Sequence, residues 1–92
     1  MNKENLLILA SYITISSYRL KVLKSLDDEV KTPTTISKDS NLRTNHVSTV
    51  LTQLKEKNII ECINKDVRKG KLYKTTDLGR KVLDCIKKGE IK

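Results

Sequence analysis

The feature that most constrains this chain of 92 residues is an apolar stripe along the segment 43–57. The stripe has the i, i+3, i+4, i+7 spacing of one helix face. Its members are Val47, Val50, Leu51 and Leu54. At about 100° per residue, Asn45, Thr49 and Thr52 fall on the opposite face. The sequence therefore predicts a helix that packs one face into a core and presents short hydrogen-bonding side chains on the other.

A shorter helix pattern comes just before this one, and a tight turn at residues 40–42 separates the two. Thr32 and Pro33 form a good helix opening, because a hydroxyl cap is followed by proline at the first helical position. Asn41 stands in the turn where the chain needs a left-handed backbone, which Asn tolerates better than most residues. Asn58 is expected to end the second helix in the same way.

Two β-branched runs follow and predict an antiparallel hairpin. They are Ile59–Ile63 and Leu72–Thr75. The loop that joins them is basic, with Gly70 expected to bend its tip. Its charged residues are Lys65, Asp66, Arg68, Lys69 and Lys71. Helix, turn, helix and basic hairpin in this order are typical of a winged helix-turn-helix, an α+β and mainly helical fold with a three-helix core and a β-hairpin wing.

The N-terminal segment is the most apolar part of the chain. Between residues 6 and 15, apolar side chains fall on nearly every face of a helix, which is typical of burial on several sides. The β-branched end of this run leaves a strand possible. We expect the segment to be buried between two subunits, with Leu6, Leu9 and Ile13 as dimerisation residues.

We interpret the chain as one domain in three parts. Ser16 or Ser17 can cap a helix over Tyr18–Leu26, and Thr76 can cap a final helix that Gly89 ends. The parts are an N-terminal dimerisation segment (1–16), a winged-helix core (17–75) and a C-terminal helix (76–89), within a domain of residues 1–92.

Charge is unevenly distributed along the chain. The formal net charge is +8, yet residues 1–30 hold four basic and four acidic side chains, whereas residues 31–92 hold 15 basic and 7 acidic ones. The excess lies in the half that carries the helix-turn-helix pattern. Such an asymmetry suits a polyanionic partner whose binding releases counterions. A protein that is merely basic and soluble is the simpler alternative.

Several other classes of protein find no support in the residues. Cys62 and Cys85 are 23 positions apart, with no CxxC motif or Cys/His cluster, so we expect no metal and interpret both as core residues of a reduced, cytoplasmic protein. The apolar run Leu6–Ile15 is too short to span a bilayer. No Gly-rich phosphate loop, nucleophile triad or paired carboxylates occur. We therefore expect neither enzymatic activity nor a cofactor.

The residue types on the 43–57 face fit recognition of base edges. Asn can bond adenine, Arg can bond guanine, and a Thr methyl group can pack on thymine. An arginine in a wing can enter a narrow minor groove. An ordinary solvated helix face is the alternative. The predicted DNA-binding residues are Lys38, Arg43, Thr44, Asn45, His46, Ser48, Thr49, Thr52, Lys55, Arg68, Lys69 and Lys71. Glu56, farther along the same face, is expected to lie clear of the DNA.

Three stretches within residues 17–83 carry a family resemblance: YRLKVLKSL, TPTTISKDSNLRTNHVSTVLTQLKEKNIIE and RKGKLYKTTDLGRKVL. They resemble the winged-helix transcription regulators of the MarR/ArsR type, especially the small archaeal ones. The resemblance implies a homodimer on a pseudo-palindromic operator, with the 43–57 helix in the major groove. Because the chain is too short for an effector domain, repression by steric blocking is expected. Asn41 and Asn58 stand where the family commonly has Gly, and Arg43 stands at a usual Ser or Thr cap. The cysteine metal-sensing motif of the ArsR branch is absent.

A winged helix can also serve as a protein-protein interaction module of a transcription assembly. Such a module would expose apolar residues on the 43–57 helix and would not need a basic wing, which is the reverse of this sequence. Single-stranded nucleic acid and RNA are usually bound through aromatic stacking platforms. The three tyrosines, Tyr12, Tyr18 and Tyr73, are instead placed like core or interface residues. The sequence favours a regulator that binds double-stranded DNA.

Overall fold

The computed structural model describes residues 3–89, which form five α-helices and one two-stranded antiparallel hairpin. In chain order the elements are α1 (Lys3–Thr14), α2 (Ser17–Leu26), α3 (Pro33–Ser40), α4 (Thr44–Glu56), β1 (Ile60–Cys62), β2 (Tyr73–Thr75) and α5 (Asp77–Lys87). Helices α2, α3 and α4 form the three-helix core, and the hairpin forms the wing. The predicted fold class, mainly helical α+β with a winged helix-turn-helix, is confirmed.

Side-chain caps begin three of the helices, as the sequence predicts. The hydroxyl oxygen of Ser16 accepts from the Arg19 N–H at the start of α2, so Ser16 and not Ser17 is the cap. Thr32 and Thr76 cap α3 and α5 in the same way. A cap of this kind contributes about 1 kcal/mol to helix stability. Helix α4 begins without one, because Arg43 stands at its N-cap and makes no side-chain capping bond.

The turn between α3 and α4 has the predicted backbone. Asn41 is left-handed, with φ of 58°, and Asn58 ends α4 with φ of 61°. Ser37 tightens the turn, because its backbone carbonyl accepts from the Leu42 N–H at 3.1 Å and its hydroxyl donates to the Leu42 carbonyl. These bonds fix the angle at which α4 leaves α3.

One core joins all five helices and the hairpin. The predicted α4 stripe is buried, and α2 adds Val22, Leu23 and Leu26, while α5 adds Val82, Leu83 and Cys85. Both cysteines are buried and neither forms a disulfide, as expected for core residues. Gly79 permits the close approach of α5 to the hairpin, because a Cβ there would lie 2.0 Å from the Ile59 carbonyl oxygen.

The N-terminal segment is a helix, the alternative that the sequence favours over a strand. One assignment within it needs correction. Ile13 is fully buried within this single chain, so its side chain is not available to a partner subunit. Leu6 and Leu9 are partly buried against the same core. Tyr18, predicted to be a core or interface residue, is 40% exposed at the start of α2 and does not belong to the core. Periodicity identifies an apolar face without identifying what covers it.

The sheet is smaller than predicted. Each strand has three residues, paired in the register Ile60–Thr75, Glu61–Lys74 and Cys62–Tyr73. Lys31 extends the sheet as an isolated bridge, because it exchanges both backbone hydrogen bonds with Tyr73 at 3.0 and 2.9 Å. The stretch before α3 is thereby tied to the base of the wing.

Candidate nucleic-acid interface

The outward face of α4 is exposed and polar along its whole length. Its exposed residues are Thr44, Asn45, Ser48, Thr49, Thr52, Lys55 and Glu56, with Arg43 exposed just before them. Two of its hydroxyl groups donate to the helix backbone, Thr49 to the Asn45 carbonyl at 3.2 Å and Thr52 to the Ser48 carbonyl at 3.1 Å. A hydroxyl held in this way keeps its lone pairs free to accept from the exocyclic amino group of a base.

A groove of about 530 Å³ separates α4 from the wing. From α4 it is lined by Ser48, Leu51, Thr52, Lys55 and Glu56, and from the other side by Pro33, Lys71 and Tyr73. We call the α4 residues Ser48, Thr52 and Lys55 the wing flank. Glu56, which the sequence predicts to lie clear of the DNA, lines this groove together with two lysines. Its carboxylate would oppose a phosphate brought close to it.

A second groove, of about 400 Å³, continues the first toward the wing loop. It is lined by Thr32, Pro33, Thr34, Arg68, Lys69, Gly70, Lys71 and Tyr73. The two grooves share Pro33, Lys71 and Tyr73, so the polar face of α4 and the basic wing belong to one concave surface. Burial raises the pKa of the Tyr73 phenol above its ordinary value, and the nearby Cys62 adds to this. The phenol is therefore a neutral hydrogen-bond donor at neutral pH.

The predicted DNA-binding cations form no salt bridge with any described residue. Within residues 3–89, the salt bridges join Lys31 to Asp39 at 2.7 Å and Lys87 to Asp27 at 3.3 Å. Neither involves a predicted DNA-binding cation. Five of these cations are exposed and Lys71 is half-buried; the exposed ones are Lys38, Arg43, Lys55, Arg68 and Lys69. The structure brings all of them except Lys38 and Arg43 to the two grooves.

The opposite side of α4 is occupied by contacts with α1 and α2. We call His46 and Gln53 of α4, together with Lys57 just after the helix, the helical flank. The His46 ring lies 4.9 Å from the Tyr18 ring, centroid to centroid. The Gln53 side-chain oxygen accepts from Arg19 Nε at 3.1 Å, and the Lys57 ammonium lies 5.2 Å from the centre of the Tyr12 ring. His46 thus packs beside α2, and a direct contact between His46 and DNA stays a prediction.

Arg19 makes the central contact of the helical flank. Its guanidinium donates to the Tyr12 carbonyl at 2.9 Å and stacks over the Tyr12 ring at 3.9 Å, besides its bond to Gln53. Tyr12 lies in the last turn of α1, where backbone carbonyls lack partners within the helix. Arg19 therefore supplies a hydrogen-bond donor to the Tyr12 carbonyl at the end of α1 and connects α1 to α4. No sequence periodicity indicates this contact, because Arg19 and Gln53 are 34 residues apart.

The described residues include no metal-ligand cluster and no single helix that could span a membrane. No group of three or more His, Cys, Asp and Glu residues between residues 3 and 89 could hold a metal ion. In the same residues no single helix is long and apolar enough to cross a membrane, and the one pair that would qualify jointly, Asn5–Thr14 with Ser17–Leu26, is bent by 107°.

Comparison with known proteins agrees with the fold. The TubR protein bound to 24 bp of tubC, from Bacillus thuringiensis serovar israelensis pBtoxis, superposes with a TM-score of 0.82 at 18% identity, over 97% of this chain and 99% of that one. A TubR mutant of type III plasmid segregation gives 0.80 at 18% identity, over 100% and 99%. No curated protein sequence matches the chain. The winged helix-turn-helix family model matches residues 16–91. The chain therefore belongs to the winged helix-turn-helix family.

Proposed function

We propose that this protein is a sequence-specific regulator that binds double-stranded DNA through the concave surface of α4 and the wing. The observation that carries the proposal is the union of an exposed polar helix face with a basic loop in two contiguous grooves. In this arrangement α4 reads base edges in the major groove. The wing residues Arg68, Lys69 and Lys71 bind the backbone or the adjacent minor groove.

The charge distribution supports a large electrostatic part in binding. Lys38, Arg43, Lys55, Arg68, Lys69 and Lys71 would each displace a counterion on contacting a phosphate. The logarithm of the binding constant then falls with the logarithm of salt concentration by about 0.9 per phosphate contacted. A steep salt dependence on every duplex, with a sequence preference superimposed on it, is the expected behaviour.

We further propose that the protein acts as a cytoplasmic homodimeric repressor on a pseudo-palindromic operator, as the narrower resemblance to MarR/ArsR-type regulators implies. Helix α1 exposes 66% of Ile8 and leaves Leu6 and Leu9 partly exposed, while Ile15, just after the helix, is 78% exposed. Burying this surface against a second copy would contribute roughly 25 cal/mol per Å² of apolar area, which must exceed the entropic cost of association for a dimer to form. Two recognition helices related by twofold symmetry would then meet half-sites about 34 Å apart.

A second candidate function is DNA binding for plasmid segregation. The observation that favours it is the extent of the TubR likeness, which includes α1 and so reaches beyond residues 16–91. Both candidates use the same DNA surface. They differ in what the bound DNA does, since a repressor lowers transcription from a promoter, whereas a segregation protein makes a plasmid carrying its site more stably inherited.

The winged helix as a protein-interaction module is less well supported. The outward face of α4 carries no exposed large apolar side chain in the described structure. The exposed large apolar residues lie elsewhere: Ile8 and Ile15 on or near α1, Tyr18 and Val30 on or after α2, and Ile63 and Val67 in the hairpin.

Selection of bound duplexes from a random pool, at a stated salt concentration, tests the proposal. We expect enrichment of a related set of duplexes with inverted half-sites. Recovery of a random population, or equal binding of the selected sequence as a single strand, would contradict it. Placing the selected site at a promoter, and separately on an unstable plasmid, then discriminates the two candidates.

A further inference from the structure

Among the described residues, one side chain forms hydrogen bonds across the base of the wing loop. The residues 65–70 are all exposed, so no burial holds them in place. Asn64, at the start of the loop, is half-buried and bonds across it. Its side-chain oxygen accepts from the Leu72 N–H at 2.7 Å, and its side-chain nitrogen donates to the Gly70 carbonyl at 3.1 Å.

These two bonds continue the hairpin beyond its short strands. The last backbone bond of the ladder runs from the Ile63 N–H to the Leu72 carbonyl at 2.9 Å. Asn64 adds the next rung with its side chain, and it does so beside Gly70, whose φ of 71° bends the loop. The loop residues Lys65–Lys69 are thus enclosed between Asn64 and a Gly70 held in position. A side chain that both accepts and donates is required, and among short side chains the Asn amide offers both groups in this geometry.

We propose that Asn64 is a positioning residue for DNA binding, which orients Arg68 and Lys69 before the DNA arrives. This inference rests on the proposed function. An unfastened loop would have to be ordered when it binds, and each long side chain immobilised at an interface costs affinity. Asn64 itself need not touch the DNA. Asn64 contributes by holding Arg68 and Lys69 toward the second groove before the DNA binds. Pro33 and Lys71 line the same groove.

The experiment is a double-mutant cycle on duplex binding. One mutation is Asn64→Ala, and the other is the pair Arg68→Ala and Lys69→Ala. In the parent background we expect Asn64→Ala to weaken binding to all duplexes by roughly three- to tenfold, the loss expected when one or two side chains must be ordered on binding. In the background that lacks both cations, Asn64→Ala should have no further effect, because nothing is left to position.

Two readouts separate positioning from folding. The thermal midpoint reports whether Asn64→Ala folds, and exchange of the Leu72 amide hydrogen should accelerate because its acceptor is gone. Val67→Ala is the matched control, since Val67 is an uncharged, exposed residue of the same loop. It should bind DNA like the parent.

Each remaining outcome overturns the inference in a recognisable way. Equal losses in both backgrounds would show a general effect on folding. Parent-like binding by Asn64→Ala, with weakened binding by the Arg68 and Lys69 variant, would show that the loop needs no fastening. Parent-like binding by the Arg68 and Lys69 variant would show that the wing cations do not contribute to DNA binding. Failure of the parent to bind any duplex would instead refute the proposed function.

Discussion

The two flanks of α4 differ in what surrounds them. On the helical flank, His46, Gln53 and Lys57 each contact an aromatic or guanidinium group of α1 or α2. On the wing flank, Ser48, Thr52 and Lys55 face an open groove of about 530 Å³. One side of the helix is therefore occupied by contacts within the protein, and the other is available to a ligand.

The difference separates two tasks within one helix. Contacts that fix the orientation of a recognition helix must persist without DNA, whereas contacts that bind DNA must be left unsatisfied until it arrives. Arg19 performs the first task by joining α1 to α4. Lys55 and Lys71 remain without a salt bridge to any other described residue and are suited to the second.

The largest effect is expected on the wing flank, from replacing Lys55 and Lys71 together by Ala. Each substitution removes a charge-assisted hydrogen bond to phosphate, which contributes about 1.5–3 kcal/mol to the free energy of binding. Binding should weaken on all duplexes, and the salt slope should fall by about 2. Titrations at several salt concentrations measure both quantities. Lys81→Ala with Lys88→Ala, on and just after α5, removes the same charge away from the groove and serves as the control. Equal losses from both pairs would show that only net charge matters.

Arg19→Met on the helical flank should act mainly on stability. The substitution leaves the Tyr12 carbonyl and the Gln53 amide without their donor, which costs about 1–3 kcal/mol in the free energy of unfolding. Because Arg19 is expected to make no phosphate contact, the salt slope should not change, while discrimination between duplexes should weaken as α4 loses its orientation. Denaturant unfolding and binding titrations test the two parts.

Lys24→Met is the control for that substitution. Lys24 is exposed on α2, so its replacement should leave the free energy of unfolding unchanged. A reduced salt slope in Arg19→Met would place Arg19 at the DNA and remove the distinction between the flanks.

The smallest effect is a gain. Glu56 lines the groove beside Lys55 and Lys71, so its carboxylate should repel the phosphate backbone. Glu56→Gln should therefore tighten binding to all duplexes by about 0.3–1 kcal/mol, roughly two- to fivefold, and the gain should shrink at high salt. Glu61→Gln, exposed on β1, is the matched control and should change little. An unchanged affinity in Glu56→Gln would show that the DNA phosphate backbone does not pass close to Glu56.

Local patterns in the sequence predict much of the fold. The α4 stripe follows from helical periodicity, and the caps Thr32 and Thr76 follow from hydroxyl groups placed just before apolar runs. The left-handed turn at Asn41 follows from the tolerance of Asn for that conformation. Each of these features depends on residues within about two helical turns, a range over which a single sequence is informative.

The contacts that organise the site are not local. Ile13 is buried by its own chain and Tyr18 packs beside α4, but an apolar or aromatic residue gives no sign of which distant surface will cover it. The bond between Arg19 and Gln53 cannot be predicted for the same reason, because the two residues are distant in the sequence. Asn64 is a partial exception, since Asn at the start of a loop often bonds to the backbone nearby.

The central claim is that the outward face of α4 reads base edges while the wing binds the backbone. The most direct measurement compares the parent with Asn45→Ala on the selected duplex and on a full set of its single-base-pair variants. We predict that Asn45→Ala loses about 1–3 kcal/mol on the selected duplex and becomes indifferent at one or two base pairs, with an unchanged salt slope. A uniform loss on every duplex, or no change on any, would contradict the claim.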